Sequence, residues 1–217
     1  LNINMMKKLS LLLLSLTITI GIFAQEDVKA KAILDKLSEK TKKYTSIKTT
    51  FEYHIHNKTE GIDEKQTGSL QTKGNKYYLS IKGQDVFSDG KSVYTLLKDA
   101  EEVHINSIPD ESEEDAISPS TIFTLYEKGF KYKYAKEEGG NDVINLYPNK
   151  PEEKSFHRVE LYINKAKGEI SKVIVYGKDG TNMTYTIKTF TPNVAIADAI
   201  FTFDKAKYAS YDVIDLR

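Results

Sequence analysis

The sequence predicts a mainly β fold: a long antiparallel meander of about eleven strands that curls on itself, accompanied by two short helices. Three observations predict it. Ile47, Thr49, Phe51, Tyr53 and Ile55 alternate with Lys48, Thr50, Glu52, His54 and His56, a period-two run that marks a half-buried strand. Turn residues recur at short intervals, at Gly74-Asn75, Gly83-Gln84, Asp89-Gly90, Gly139-Gly140-Asn141-Asp142 and Lys178-Asp179-Gly180. The connections are short, which favours antiparallel neighbours. The 14 Tyr and 9 Phe suit strands and apolar pockets.

Taken in order, the chain begins with an address. Met5 to Ala24 has a basic start at Lys7 and Lys8, an apolar run from Leu9 to Phe23, and small Ala24 before Gln25-Glu26-Asp27. This is the plan of a secretory signal peptide, with cleavage expected after Ala24. The run of about 15 apolar residues falls short of the roughly 20 needed to span a bilayer. Leu1 to Asn4, ahead of two Met residues, read as extra translated sequence. Residues 25–217 are then expected to form one domain.

Asp27 to Tyr44 reads as a helix, with Asp27 as N-cap and a stripe of Val28, Ala32, Ile33, Leu37 and Tyr44. Strands follow the 47–56 run at 64–73, 76–82, 85–88, 92–97, 101–106, 130–138, 143–147, 156–164, 169–177, 181–190 and 201–204. One excursion interrupts them. Pro109 to Asp115 is acidic and holds no apolar residue, and it leads into a second short helix. Ser118 caps that helix, Pro119 fits its first turn, and Gly129 ends it. So many antiparallel strands cannot stay flat; they curl into a barrel or split into two layers.

Composition excludes several classes. Lys+Arg and Asp+Glu are both 31, so bulk positive charge cannot drive nucleic-acid binding. Without residues 1–24, which hold two Lys and no acid, 29 bases face 31 acids. There is no Cys, which rules out a disulfide scaffold, a thiolate metal site and a cysteine nucleophile. His54 and His56 share a strand face, but nothing nearby completes a metal site, and a solvated polar face is the simpler reading. Glu113, Glu114 and Asp115 follow no calcium-loop pattern. No nucleophile elbow or phosphate-binding glycine loop occurs, so no catalytic residue, cofactor or metal is assigned.

A curved sheet has a concave face on which the helices can lie. Their side chains either fill it as an ordinary core or leave an apolar cavity. The excursion at 107–129, with Ile122, Phe123, Leu125 and Tyr126 behind an acidic stretch, has the form of a movable cover and favours the cavity.

The ordered motifs resemble the LolA family of periplasmic outer-membrane lipoprotein carriers. They are Ser46-Ile-Lys-Thr-Thr-Phe51, Gly68-Ser-Leu70-Gln-Thr-Lys73, Ser88-Asp89-Gly90-Lys91-Ser-Val-Tyr94, Leu146-Tyr-Pro148, Phe201-Thr-Phe203 and Val213-Ile-Asp215. The resemblance covers nearly all of the chain after residue 24. It implies an incomplete, curved β-barrel with an N-terminal helix and a lid helix over the concave face. It implies a monomeric carrier with acylated lipoproteins as cargo, an inner-membrane ABC-type release complex as donor, and an outer-membrane acceptor or the outer membrane itself as recipient; the alternatives are a carrier of another lipid or a non-carrier exported β-rich interaction module with a solid interior. Two features depart from the family pattern. Gly74-Asn75 stands where members carry Arg-Pro, the Arg being associated with lid closure and ligand release, and Asp204-Lys205-Ala206 replaces prolines after the F-x-F. The residues expected to line the acyl-chain site are Phe51, Tyr53, Ile55, Leu70, Tyr77, Leu79, Tyr94, Leu96, Ile122, Phe123 and Leu125.

Overall fold

Residues 27–108, 125–127 and 129–217 are described by a computed structural model. The leader and most of the acidic excursion, with Ile122 and Phe123, lie outside the described residues.

Among the described residues the first element is helix α1 (Val28–Thr41). Twelve strands follow: β1 (Ile47–Asn57), β2 (Ile62–Lys73), β3 (Lys76–Ile81), β4 (Gln84–Ser88), β5 (Ser92–Leu97), β6 (Glu102–Ser107), β7 (Phe130–Glu138), β8 (Asn141–Pro148), β9 (Phe156–Asn164), β10 (Glu169–Gly177), β11 (Asn182–Pro192) and β12 (Asp212–Asp215). They form one sheet in the order β12-β6-β5-β4-β3-β2-β1-β11-β10-β9-β8-β7. Two meanders, β1–β6 and β7–β11, join where β1 pairs with β11. Neighbours are antiparallel except β12, which lies parallel to β6. The sheet is curved and does not close into a barrel. Register shifts interrupt the β1–β11, β9–β10 and β7–β8 ladders, and bulges of this kind increase local twist and bend.

The helix is fixed at its first residue. Asp27 caps it, accepting from the Ala30 amide at 2.9 Å. The other carboxylate oxygen accepts from the Tyr134 amide at 2.7 Å, on edge strand β7. One side chain thus satisfies an orphan helix donor and an edge-strand donor together. Those donors, the Ala30 amide foremost, hold the Asp27 carboxyl below its usual pKa. Docked this way, α1 buries Ala30, Leu34, Leu37 and Ser38. The expected stripe is therefore rotated: Val28 is 69% exposed and Ala32 is exposed, while Ile33 and Tyr44 sit at the margin of the core.

The C-terminal region differs from expectation. Phe201 and Phe203 do not share a strand. A strand would point both to one side, but the chain needs them on different partners. Asp198–Phe201 is a 3-10 turn against β3 and β4, with Phe201 fully buried. Phe203 instead stacks on Tyr94 at 5.3 Å and on Tyr208 at 5.6 Å. The last strand, β12, was not expected as a strand.

Candidate binding face

Paired residues on neighbouring strands point to the same face, so the register defines the two sides of the sheet. From β1 outward, Thr49 faces Leu70 and Leu70 faces Leu79. Leu79 faces Val86, and Val86 faces Thr95. In the other direction Phe51 faces Ile187, Tyr53 faces Tyr185, and Tyr185 faces Val173. We call this the inner face, because it also carries α1.

The inner face has two halves. Under α1, Ala30, Leu34 and Leu37 pack with Ile144, Leu146, Leu161, Val173 and their neighbours into the main core. The segment Leu125–Glu127 belongs to this half: Tyr126 is buried in the same core. Glu127 accepts from Ser38 Oγ and pairs with Lys42 at 2.6 Å, and these contacts, Lys42 first, lower its pKa. The end of the excursion is therefore fastened to the helix.

The second half lies over β1–β4 and β11. Phe51, Leu70 and Tyr77 form its buried centre, with Tyr53, Leu79, Ile81, Val86, Tyr185 and Ile187 packed around them. No α1 residue belongs to this cluster. Tyr185 touches both halves. Its ring stacks on Tyr53 at 4.8 Å and meets Phe51 edge-on at 6.0 Å. Burial raises the pKa of Tyr53, Tyr77 and Tyr185, and the adjacent Tyr53 adds to the rise at Tyr185. These hydroxyls stay neutral, so the aromatic centre of the wall carries dipoles and no charge.

Strand β2 grades this wall from polar to apolar. Its inner-face residues run Glu64, Gln66, Gly68, Leu70, opposite Ile55, Tyr53, Phe51 and Thr49. Glu64 is exposed and Leu70 is buried. Between them, the Oε1 of Gln66 is buried and has no hydrogen-bond partner among the described residues. At Gly68 an added Cβ would meet Phe51 Cζ at 2.5 Å and Ile81 Cγ2 at 2.9 Å, so glycine leaves the space these side chains occupy.

Of the expected lining residues, the register brings Phe51, Tyr53, Ile55, Leu70, Tyr77 and Leu79 onto this one face. Tyr94 and Leu96 are corrected. They point to the outer face, where Phe87 faces Tyr94 and Leu96 faces Val103. With Ile105 and Tyr78 they form a separate cluster, covered by Phe203, Tyr208 and Tyr211. Both faces of β5 are apolar there, so alternation alone carries no information about side. Val93, Thr95 and Leu97 are its inner-face residues, and beyond them His104 and Glu102 of β6 end the apolar area. Leu125 opens the turn Leu125–Glu127. The sequence reading missed Ile81, Val86, Tyr185 and Ile187. Tyr185 and Ile187 were visible as alternate residues of the 181–190 strand, but their partnership with β1 depends on a long-range pairing.

Elsewhere the polar groups have ordinary roles. His54 Nε2 lies 2.6 Å from Asp63 Oδ1, and His104 Nε2 lies 2.8 Å from Glu102. Among the described residues no group of three or more potential ligands could hold a metal ion. Nor is any helix among them long and apolar enough to cross a membrane. An open groove of about 400 Å³ runs along Lys205, Tyr208, Tyr211 and Val213, none of them on the inner face. At the β2–β3 turn Lys73 and Lys76 both bind Asp198, at 2.7 and 3.1 Å, tying the hairpin to the C-terminal segment. Gly74, with φ 60°, makes that turn where an Arg was the family expectation.

Among the described residues, a curved, open sheet with one helix on its inner face and an apolar half beside it has the architecture of the LolA-like fold class. The family model described as outer membrane lipoprotein carrier protein LolA matches residues 42–204, and the chain belongs to that family. Among solved structures, an uncharacterized conserved protein from Thermus thermophilus is similar, with a TM-score of 0.54, 12% identity, and coverage of 85% of this chain and 98% of that one. A LolA superfamily protein from Nitrosomonas europaea has a TM-score of 0.44 at 13% identity, covering 80% and 97% of the two chains. A putative outer membrane lipoprotein-sorting protein domain from Vibrio parahaemolyticus has a TM-score of 0.46 at 10% identity, covering 83% and 98%. No curated protein matches by sequence.

Proposed function

We propose that this protein is a soluble periplasmic carrier that holds the acyl chains of lipoproteins against the β1–β4 half of its inner face and moves them from the inner to the outer membrane. The observation that carries the reading is that face itself: Phe51, Tyr53, Leu70, Tyr77 and Leu79 gathered on one concave wall with no α1 residue among them. Family membership supports it, since LolA-like proteins are binding or carrier proteins.

The physical task is large. Exposing each methylene to water costs about 0.8 kcal/mol, so an anchor of some forty methylenes would cost on the order of 30 kcal/mol to expose. An apolar wall removes most of that cost without covalent chemistry, and no catalytic residue is needed. The wall should accept flexible chains with little shape selectivity. Ile55, with Ile122 and Phe123 of the excursion, completes the proposed lining. The cleaved leader at residues 1–24 would deliver the protein to the periplasm. The donor would be an inner-membrane ABC-type release complex and the recipient an outer-membrane acceptor or the membrane itself.

The test is displacement. Delipidated protein should bind an environment-sensitive apolar dye and release it to an acylated peptide. Protein that takes up neither dye nor acylated peptide would contradict the proposal.

A further inference from the structure

Resting on the carrier reading, we infer that Gln66 and Tyr53 recognise the amide that links an acyl chain to its peptide, so that this carrier prefers amide-linked chains over ester-linked ones. The starting point is an unexplained buried atom. Gln66 Oε1 is shut off from solvent and accepts no hydrogen bond among the described residues. Leaving such an acceptor unmet costs stability, and an apolar side chain there would avoid the cost. A group kept in that state is a candidate for a ligand that supplies the missing donor.

Its place on the wall says which kind of ligand. Gln66 faces Tyr53 directly across the β1–β2 ladder. Directly opposed residues have their Cβ atoms only about 5 Å apart. Tyr53 is stacked on Tyr185, whose hydroxyl interacts with the Tyr53 oxygen, and burial keeps the Tyr53 hydroxyl protonated. The two opposed residues therefore present an acceptor and a hydroxyl from neighbouring strands, the complement of a secondary amide: N–H to Gln66 Oε1, C=O from the Tyr53 hydroxyl. The flanking residues fit the same direction of entry. Toward one end lie Phe51 and Leu70, buried and apolar, for the hydrocarbon. Toward the other lies exposed Glu64, for the peptide that follows. An ester has no N–H and leaves Gln66 unmet, whereas an apolar chain alone satisfies neither group.

The test compares an N-palmitoyl peptide with the depsipeptide in which an ester oxygen replaces the amide N–H, each displacing an apolar dye from delipidated protein. The native protein should bind the amide about fivefold or more tightly than the ester, the scale of one buried hydrogen bond. Gln66→Leu should bind both alike and melt no lower than the native protein in the absence of ligand. Gln66→Glu, which keeps an acceptor, should retain the amide preference. Equal binding of the two probes by the native protein would overturn the inference while leaving the carrier reading intact, and so would an undiminished preference in Gln66→Leu. If neither probe displaces the dye, the carrier reading fails and this inference with it.

Discussion

Phe51 lies against the backbone of Gly68, its register partner on β2, so closely that a single added carbon at Gly68 would come within 2.5 Å of the ring. The glycine is thus a packing residue of the inner wall. It lets an aromatic ring spread across two strands where a side chain would otherwise stand.

Gly68→Ala should therefore push the Phe51 ring and Ile81 aside. Overpacking of this sort costs about 1–3 kcal/mol. We expect a lower melting temperature and weaker dye binding together, both measurable on one purified variant. Gly74→Ala, at a turn with open space around it, should leave dye binding unchanged, because its only penalty is the left-handed backbone.

The two faces of the sheet should separate stability from loading. Leu96 is 1% exposed in the outer cluster, and Leu96→Ala should cost about 2–5 kcal/mol. Among molecules that remain folded, affinity for an acylated peptide should be unchanged. Leu79 is only half-buried on the inner face, so Leu79→Ala should cost less in melting temperature and more in affinity. Thermal melts read beside binding isotherms test the contrast.

Asp27 ties α1 to β7, and Asp27→Ala should lose about 0.5–2 kcal/mol as an N-cap change. The pH dependence has a definite sign. The native carboxyl is held below its ordinary value of about 4, chiefly by the Ala30 amide. Its contribution is therefore fully present above that ordinary value and is lost as pH falls through the lower native one. Chemical denaturation of the native protein and Asp27→Ala should differ at pH 6 and converge in strong acid.

Asp198 joins two lysines, Lys73 first, and they hold its carboxyl below the usual range. All three groups are solvent-accessible, so the clasp should matter for tethering more than for global stability. Asp198→Asn should speed proteolytic cleavage of the segment 193–211 while the melting temperature barely moves.

Much of this fold was legible in the chain. The Ile47-to-Ile55 alternation, the glycine turns and Asp27 as a cap all stand in the structure because each rests on local chemistry. What was not legible depends on distant partners. The rotation of α1 follows from the Tyr134 amide on β7, so Leu34 is buried where Ala32 was expected. The side taken by Tyr94 and Leu96 follows from the C-terminal segment covering the outer face, which makes both faces of β5 apolar. The bulge opposite Thr50 and Phe51 shifts the partners on β11, which no pattern within β11 announces. Gln66 reads as an ordinary polar strand residue until its neighbours are placed around it.

The most direct measurement is photo-crosslinking of the delipidated protein with a peptide whose acyl chain carries a diazirine near its end. The account predicts adducts at inner-wall positions such as Phe51, Leu70, Tyr77 and Leu79. Adducts confined to the outer cluster around Tyr94 and Leu96, or labelling no greater than with a non-acylated peptide, would contradict it.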